Sequence, residues 1–211
     1  MRLFDLEDKV VFAIDKALDT LLNTKDSTRP YPAENIPNLN LDKESLKKSR
    51  CLMRVNHSGE IAAQALYNGQ MLFSRSEETK SHLEEAANEE KDHLAWCAKR
   101  IEELNGSESI FNPFWYLGSF SIGLIVGMNS DKFSLGFIAE TEEQVGNHIK
   151  NHLERMPKDD SRSKAVLRKM EEDEEAHGSD AREMGGSKMP FLVSKLMSFG
   201  GEALRKISYI I

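Results

Sequence analysis

Two Glu-x-x-His spacings, Glu90 to His93 and Glu174 to His177, are where residue type and interval in this chain could do chemistry. Glu60 precedes the first by about thirty residues, and Glu142 precedes the second by a similar interval. Four carboxylates and two imidazoles in two near-identical halves form the donor set of a di-iron centre inside a four-helix bundle, which points to chemistry with dioxygen. Spacing alone carries little in a chain where Asp and Glu make up 35 of 211 residues. What singles these six out is the helical face each occupies.

In one stretch the apolar positions run Leu83, Ala86, Ala87, Leu94, Cys97, Ile101 and Leu104, with Glu90 and His93 inside the stripe. A period of 3.6 calls for apolar residues there. Glu142 fills the gap in Leu135, Ile138, Ala139, Val145, Ile149 and Leu153. Glu174 and His177 lie between Leu167, Met170, Ala181 and Met184, and Glu60 shares a face with Met53, Ala63, Tyr67 and Met71. Glu85, Glu103, Glu143, Glu154 and Glu172 fall off the stripes and read as solvated surface. Four glutamates facing one core need cations, because an unpaired buried charge costs several kcal/mol against a total stability of roughly 5–15 kcal/mol. Two divalent metals neutralise four carboxylates, and mixed carboxylate and imidazole ligands favour iron or manganese over a structural zinc.

The elements that must position these residues are helices, since no segment alternates with the period of a strand; the expected class is all-α. Thr24 to Asn40, with Pro30, Pro32 and Pro37, reads as a linker. Asp42 is a candidate N-cap for a helix over about 43–75. A second helix spans about 78–105 and stops at Asn105-Gly106, a third spans about 131–156 before Pro157, and a fourth spans about 159–184 before Gly185-Gly186. Met1 to Leu22 forms an amphipathic helix with Leu3, Leu6, Val10, Ile14, Leu18 and Leu21 on one side. Its five acidic residues argue against a cleaved targeting signal. The expected organisation is a single domain over 1–211: N-terminal helix and linker 1–40, bundle 41–186 with a crossover at 107–130, and a C-terminal amphipathic segment 187–211.

Ser109 to Ser130 holds 22 residues without a charge. As one helix it would be long enough to span a bilayer, but spanning would put Glu60 and Glu90 on one side and Glu142 and Glu174 on the other. One site could not then form. The segment is therefore read as the long apolar crossover of a ferritin-like four-helix bundle, with additional N- and C-terminal helices. Gly118, Ser119, Ser121, Gly123 and Gly127 supply a close-packed side, and the other side lies in a membrane interface or an apolar partner's groove. From Lys188 onward the only acidic residue is Glu202, a locally basic stretch suited to an anionic membrane surface. A net charge of −7 argues against a nucleic-acid partner. Cys51 and Cys97 form no CxxC pair and fit a reducing compartment, with Cys97 a small buried hydrophobe.

Met53-Arg54-Val55-Asn56-His57-Ser58-Gly59-Glu60, Glu89-Glu90-Lys91-Asp92-His93-Leu94, Glu142-Glu143 with His148, and Asp173-Glu174-Glu175-Ala176-His177 together resemble the demethoxyubiquinone hydroxylases. The resemblance covers about residues 50 to 185. It implies a membrane-associated monooxygenase with two iron ions per chain, which hydroxylates a polyprenylated methoxy-methyl-benzoquinol with dioxygen in ubiquinone biosynthesis. Glu60 and His93 would ligate one iron, Glu142 and His177 the other, and Glu90 and Glu174 would bridge. Arg54, Asn56, His57 and His148 would orient ligands through hydrogen bonds. Members of the family often carry a tyrosine after that last histidine, and this chain has Ile149. The implied location is the cytoplasmic side of a bacterial inner membrane, with self-association or a complex with other ubiquinone-biosynthesis enzymes. Two other readings use the same ligands: a ferritin-type iron-oxidising or storage protein, and a di-iron tRNA hydroxylase.

Overall fold

Asp42 accepts hydrogen bonds from the backbone N–H groups of Glu44 and Ser45 and so starts α2 (Lys43–Met71). In the computed structural model, which describes residues 6–211, the same device recurs. Ser76 opens α3 (Glu77–Glu103), Ser130 opens α5 (Asp131–Arg155), and Asp160 opens α6 (Ser161–Glu183). Two of these helices end where left-handed residues are tolerated. Asn105, at φ 54°, and Gly106 close α3, and Gly185, at φ 91°, closes α6. The N-terminal helix α1 (Leu6–Leu22), the crossover helix α4 (Asn112–Gly127) and α7 (Phe191–Ile210) complete the chain. Leu3 of the expected N-terminal stripe lies outside the described residues. No strand occurs among the described residues, and the fold is an all-α, ferritin-like bundle.

The four long helices form two hairpins, α2–α3 and α5–α6. Asp131 accepts from the backbone N–H groups of Arg75 and Ser76, so α5 starts beside the α2–α3 turn and runs parallel to α3. That is the connection a long crossover makes. The crossover is a 16-residue helix rather than one 22-residue element, and no described helix is long and apolar enough to cross a membrane. It lies along α2 at backbone contact. A Cβ at Gly123 would come within 2.3 Å of Leu66 O, and one at Gly69 within 2.5 Å of Phe120 O. The close-packed side expected on the crossover is therefore narrower than read. Gly123 and Gly127 form it with Gly69 of α2, while Gly118 and Ser121 face outward.

The two largest core clusters lie as blocks along the bundle axis. One holds Leu52, Met53, Trp96, Ile101, Ile149, Leu167 and Met170, together with Cys97, whose Sγ lies 3.7 Å from Met170 Sδ. The other holds Ala63, Tyr67, Leu83, Leu135, Ile138 and Ala181. On every bundle helix the residues singled out above fall between the blocks. The linker is no passive tether, because Tyr31 and Ala33 are buried in the first block. Glu103 departs from the surface reading. It is half-buried under Arg100, Arg162 and the Tyr31 hydroxyl. Glu85, Glu143, Glu154 and Glu172 are exposed.

Candidate metal centre

Positions three apart on a helix share a face. Glu90 and His93 from α3 therefore meet Glu174 and His177 from α6 across the bundle axis, with Glu60 from α2 and Glu142 from α5 at the sides. Two groups of donor atoms result, Glu60, Glu90, His93 and Glu174 in one and Glu90, Glu142, Glu174 and His177 in the other, each within 4.8 Å and wholly buried. Glu90 and Glu174 belong to both groups. His93 Nδ1 lies 3.1 Å from Glu90, 3.6 Å from Glu174 and 3.8 Å from Glu60, and His177 Nδ1 lies 3.5 Å from Glu90.

The outer nitrogens are held by an exchange between helices. His93 Nε2 is 3.0 Å from Asp173, the residue before Glu174, and His177 Nε2 is 3.1 Å from Glu89, the residue before Glu90. A proton held on each Nε2 by its carboxylate leaves the Nδ1 lone pair facing the cluster. Arg29, from the linker, ties the supports together. Its Nη1 lies 2.9 Å from Asp173 and 3.6 Å from Glu89, its Nε donates to Asp92, and its guanidinium stacks 4.7 Å from the Trp96 ring. Asp173, Glu89 and Arg29 were missed as functional residues. The acid before each shared glutamate was a visible signal, since it recurs in both halves. Arg29 had none.

Burial raises the carboxyls of Glu60, Glu142 and Glu174 above the usual range, and neighbouring carboxylates add to this for Glu60 and Glu174. Burial would also raise Glu90, but His93 and His177 outweigh it and hold Glu90 ionised. Both imidazoles are pushed up, against the effect of burial, by the carboxylates around them, His177 to about 9. Without cations the cluster thus keeps protons on Glu60, Glu142, Glu174 and both histidines, with Glu90 ionised among them. Buried polar atoms rarely lack a partner, yet Glu90 Oε1, Glu142 Oε1, both Glu174 oxygens and His177 Nδ1 have none. They converge on one point, and all are deprotonatable oxygen or imidazole donors. This arrangement fits metal ions, with the protons given up on binding.

Arg54, Asn56, His57 and His148 make no hydrogen bond to these six residues. Arg54 donates to Ser208 O and Tyr209 O at the end of α7. Asn56 donates to Leu52 O and pairs with His152 on α5, whose ring is 3.8 Å from that of His148. His57 faces Asn112 and Glu108 at the start of α4, and Ser58 donates to Asn112. The Arg-Val-Asn-His-Ser run therefore fastens α4, α5 and α7 onto α2. The resemblance implies that these side chains orient ligands, but α2 is enclosed by other helices and each of its faces has a different neighbour to hold.

With this geometry in view, comparison with known proteins is specific. Residues 47–208 match the family described as ubiquinone biosynthesis protein COQ7. A 3-demethoxyubiquinol 3-hydroxylase from Nitrosomonas eutropha is 44% identical over 96% of this chain and 97% of its own. One from Xanthomonas euvesicatoria is 42% identical over 99% and 96%, and one from an Azoarcus species is 43% identical over 96% and 98%. The bundle, the two donor groups that share Glu90 and Glu174, and similarity along nearly the whole chain agree: this chain belongs to the ubiquinone biosynthesis protein COQ7 family.

Proposed function

We propose that this protein is a di-iron monooxygenase that hydroxylates 2-polyprenyl-3-methyl-6-methoxy-1,4-benzoquinol with dioxygen in ubiquinone biosynthesis. The observation that carries the reading is the sharing of Glu90 and Glu174 by two donor groups. Glu60 and His93 would hold one iron, Glu142 and His177 the other, and the two shared glutamates both. When bound, the irons supply the activation of dioxygen that an aromatic C–H requires. The chain's own task is to hold and to exclude. Asp173 and Glu89 keep a proton on each outer imidazole nitrogen, and Arg29 fixes both carboxylates. The two core blocks above and below the six residues close the centre along the bundle axis, which strengthens the charge interactions between these buried groups.

The substrate is apolar, and the surface supports peripheral attachment to a membrane, here the cytoplasmic side of a bacterial inner membrane. Leu6, Val10, Ile14 and Leu18 of α1 point outward, and so do Phe114, Leu117 and Ile125 of α4 and Leu192, Leu196, Phe199 and Ile210 of α7. α1 meets the bundle instead through Phe12, Ala17 and Thr20, the last donating to Gln64. Scattered apolar residues are ordinary, but rows on three helices that pack on or beside α2 are not. Self-association, or a complex with other enzymes of the pathway, would use part of the same surface. In the test, cells lacking the protein should accumulate the demethoxy-quinone. The wild-type gene should restore ubiquinone and a His177→Ala gene should not. Labelled dioxygen should deliver one labelled atom to the ring. Label arriving from water would overturn the monooxygenase reading.

A further inference from the structure

A cleft of about 440 Å³ opens between α5 and α6. Glu142 and Glu174 line it, both under 3% exposed and both with carboxylate oxygens that lack a partner. One turn beyond each stands a glycine, Gly146 after Glu142 and Gly178 after Glu174. A Cβ at Gly178 would press to 3.3 Å against Glu142 Cβ, but one at Gly146 would meet nothing within 4 Å. Packing therefore does not require Gly146, although glycine inside a helix costs about 1 kcal/mol relative to alanine. The equivalent positions in the other hairpin are filled by Gln64 and Leu94. Two ion pairs cross the cleft in opposite senses, Lys150 to Glu175 at 2.7 Å and Arg182 to Glu143 at 2.7 Å. They join α5 to α6 while leaving the space over the two ligands open. At about 30 Å³ per water, the volume takes a divalent cation with its hydration shell.

We propose that this cleft is the port through which hydrated Fe(II) enters and leaves the metal centre, with Gly146 and Gly178 as its aperture. The proposal rests on the di-iron reading above and adds a route on the side away from α4. Waters are exchanged for ligands along the path, Glu142 and Glu174 being the first carboxylates without partners that the ion meets. A plug in such a port changes the barrier and not the end states, so it slows entry and exit equally.

The test uses metal-free full-length protein and Fe(II) alone, under anaerobic conditions. Uptake is followed by quenching with a chelator, and release by adding excess chelator to loaded protein. Gly146→Leu should slow both rates at least tenfold, with final iron per chain and equilibrium affinity as in wild type. Gly118→Leu, an equivalent change on exposed helix surface of α4, should alter neither. Asn147→Cys in a Cys51→Ser background, alkylated after folding with a bulky maleimide, should give the same block without burdening folding. Wild-type rates in Gly146→Leu and in the alkylated protein would overturn the port while leaving the metal site standing. Reduced final iron at unchanged rates would also overturn it, by showing damage to the site. Failure of wild type to bind Fe(II) would remove both readings.

Discussion

The α2–α3 and α5–α6 hairpins carry the same set of candidate donors, yet they meet different surroundings. α2 is covered by α1, α4 and α7, whereas the opposite pair stays open to solvent along a polar cleft. The supports differ too, at the seam of α3 and α6 under Arg29. Asp173, which holds His93, has a side chain 10% exposed, while Glu89, which holds His177, is 43% exposed. A repeated sequence has been given one apolar flank and one wet one. In the proposed reaction those flanks suit an apolar quinol on one side and a hydrated ion on the other.

The largest effect should come from breaking what the halves share. Glu174→Ala should lose both irons and all hydroxylation, whereas Glu143→Ala, whose side chain pairs with Arg182 outside the cluster, should keep two per chain. Iron near two per chain in Glu174→Ala would sink the assignment of that glutamate.

Unequal burial of the two supports sharpens the comparison. A carboxylate that orients a metal-bound histidine is worth about 10–100-fold in affinity. Asp173→Asn should fall near the upper end and Glu89→Gln near the lower, because solvent replaces part of what Glu89 does. Arg29→Ala should weaken both halves together. Competition with a calibrated chelator measures all three, and equal losses in the first two would erase the distinction.

The apolar flank can be tested apart from the metal. Wild type should float with anionic liposomes at low salt, and Leu117→Glu or Ile125→Glu should weaken this at least tenfold, from about 1.5–3 kcal/mol per buried side chain. Iron content should not change. Phe120 is a poorer probe, because it stacks on Tyr116 and is partly buried against α2. Wild type that stays in the soluble fraction would remove the interfacial reading.

The smallest effect is an acid slope. Burial keeps His57 and His148 neutral with pKa values near 3, and His152 near 2. An unfolded chain takes up these protons near pH 6.5. Below that pH the unfolded state binds more protons at these three sites, so their own contribution to stability should fall as pH drops towards 3, while the raised carboxyls of Glu60, Glu142 and Glu174 work in the opposite sense. The difference in urea midpoint between wild type and histidine variants, both metal-free, followed from pH 7 to 5, measures it, because the carboxyl cluster is common to both. His148→Gln with His152→Gln should flatten the slope more than His57→Gln, since two of the three imidazoles lie on α5.

What the chain alone determined follows from local periodicity. Helix starts at Asp42 and stops at Asn105-Gly106 and Gly185 depend on a few neighbouring residues, and the structure has all of them. The six candidate ligands were legible for the same reason, because a charge inside a 3.6-residue apolar stripe is a local contradiction that a cation resolves. The nearby Arg54, Asn56 and His57 were read wrongly as ligand supports, since proximity in sequence does not say which neighbour a helix face will meet. Tertiary structure alone decided the exchange of Asp173 and Glu89 between helices, the placing of Arg29 over both, and the bare flank beside Gly146. Each depends on the spacing and rotation of helices far apart in the chain. Those are set by backbone contacts such as Gly69 against Phe120 and by the blocks of core on either side, and no local pattern records them.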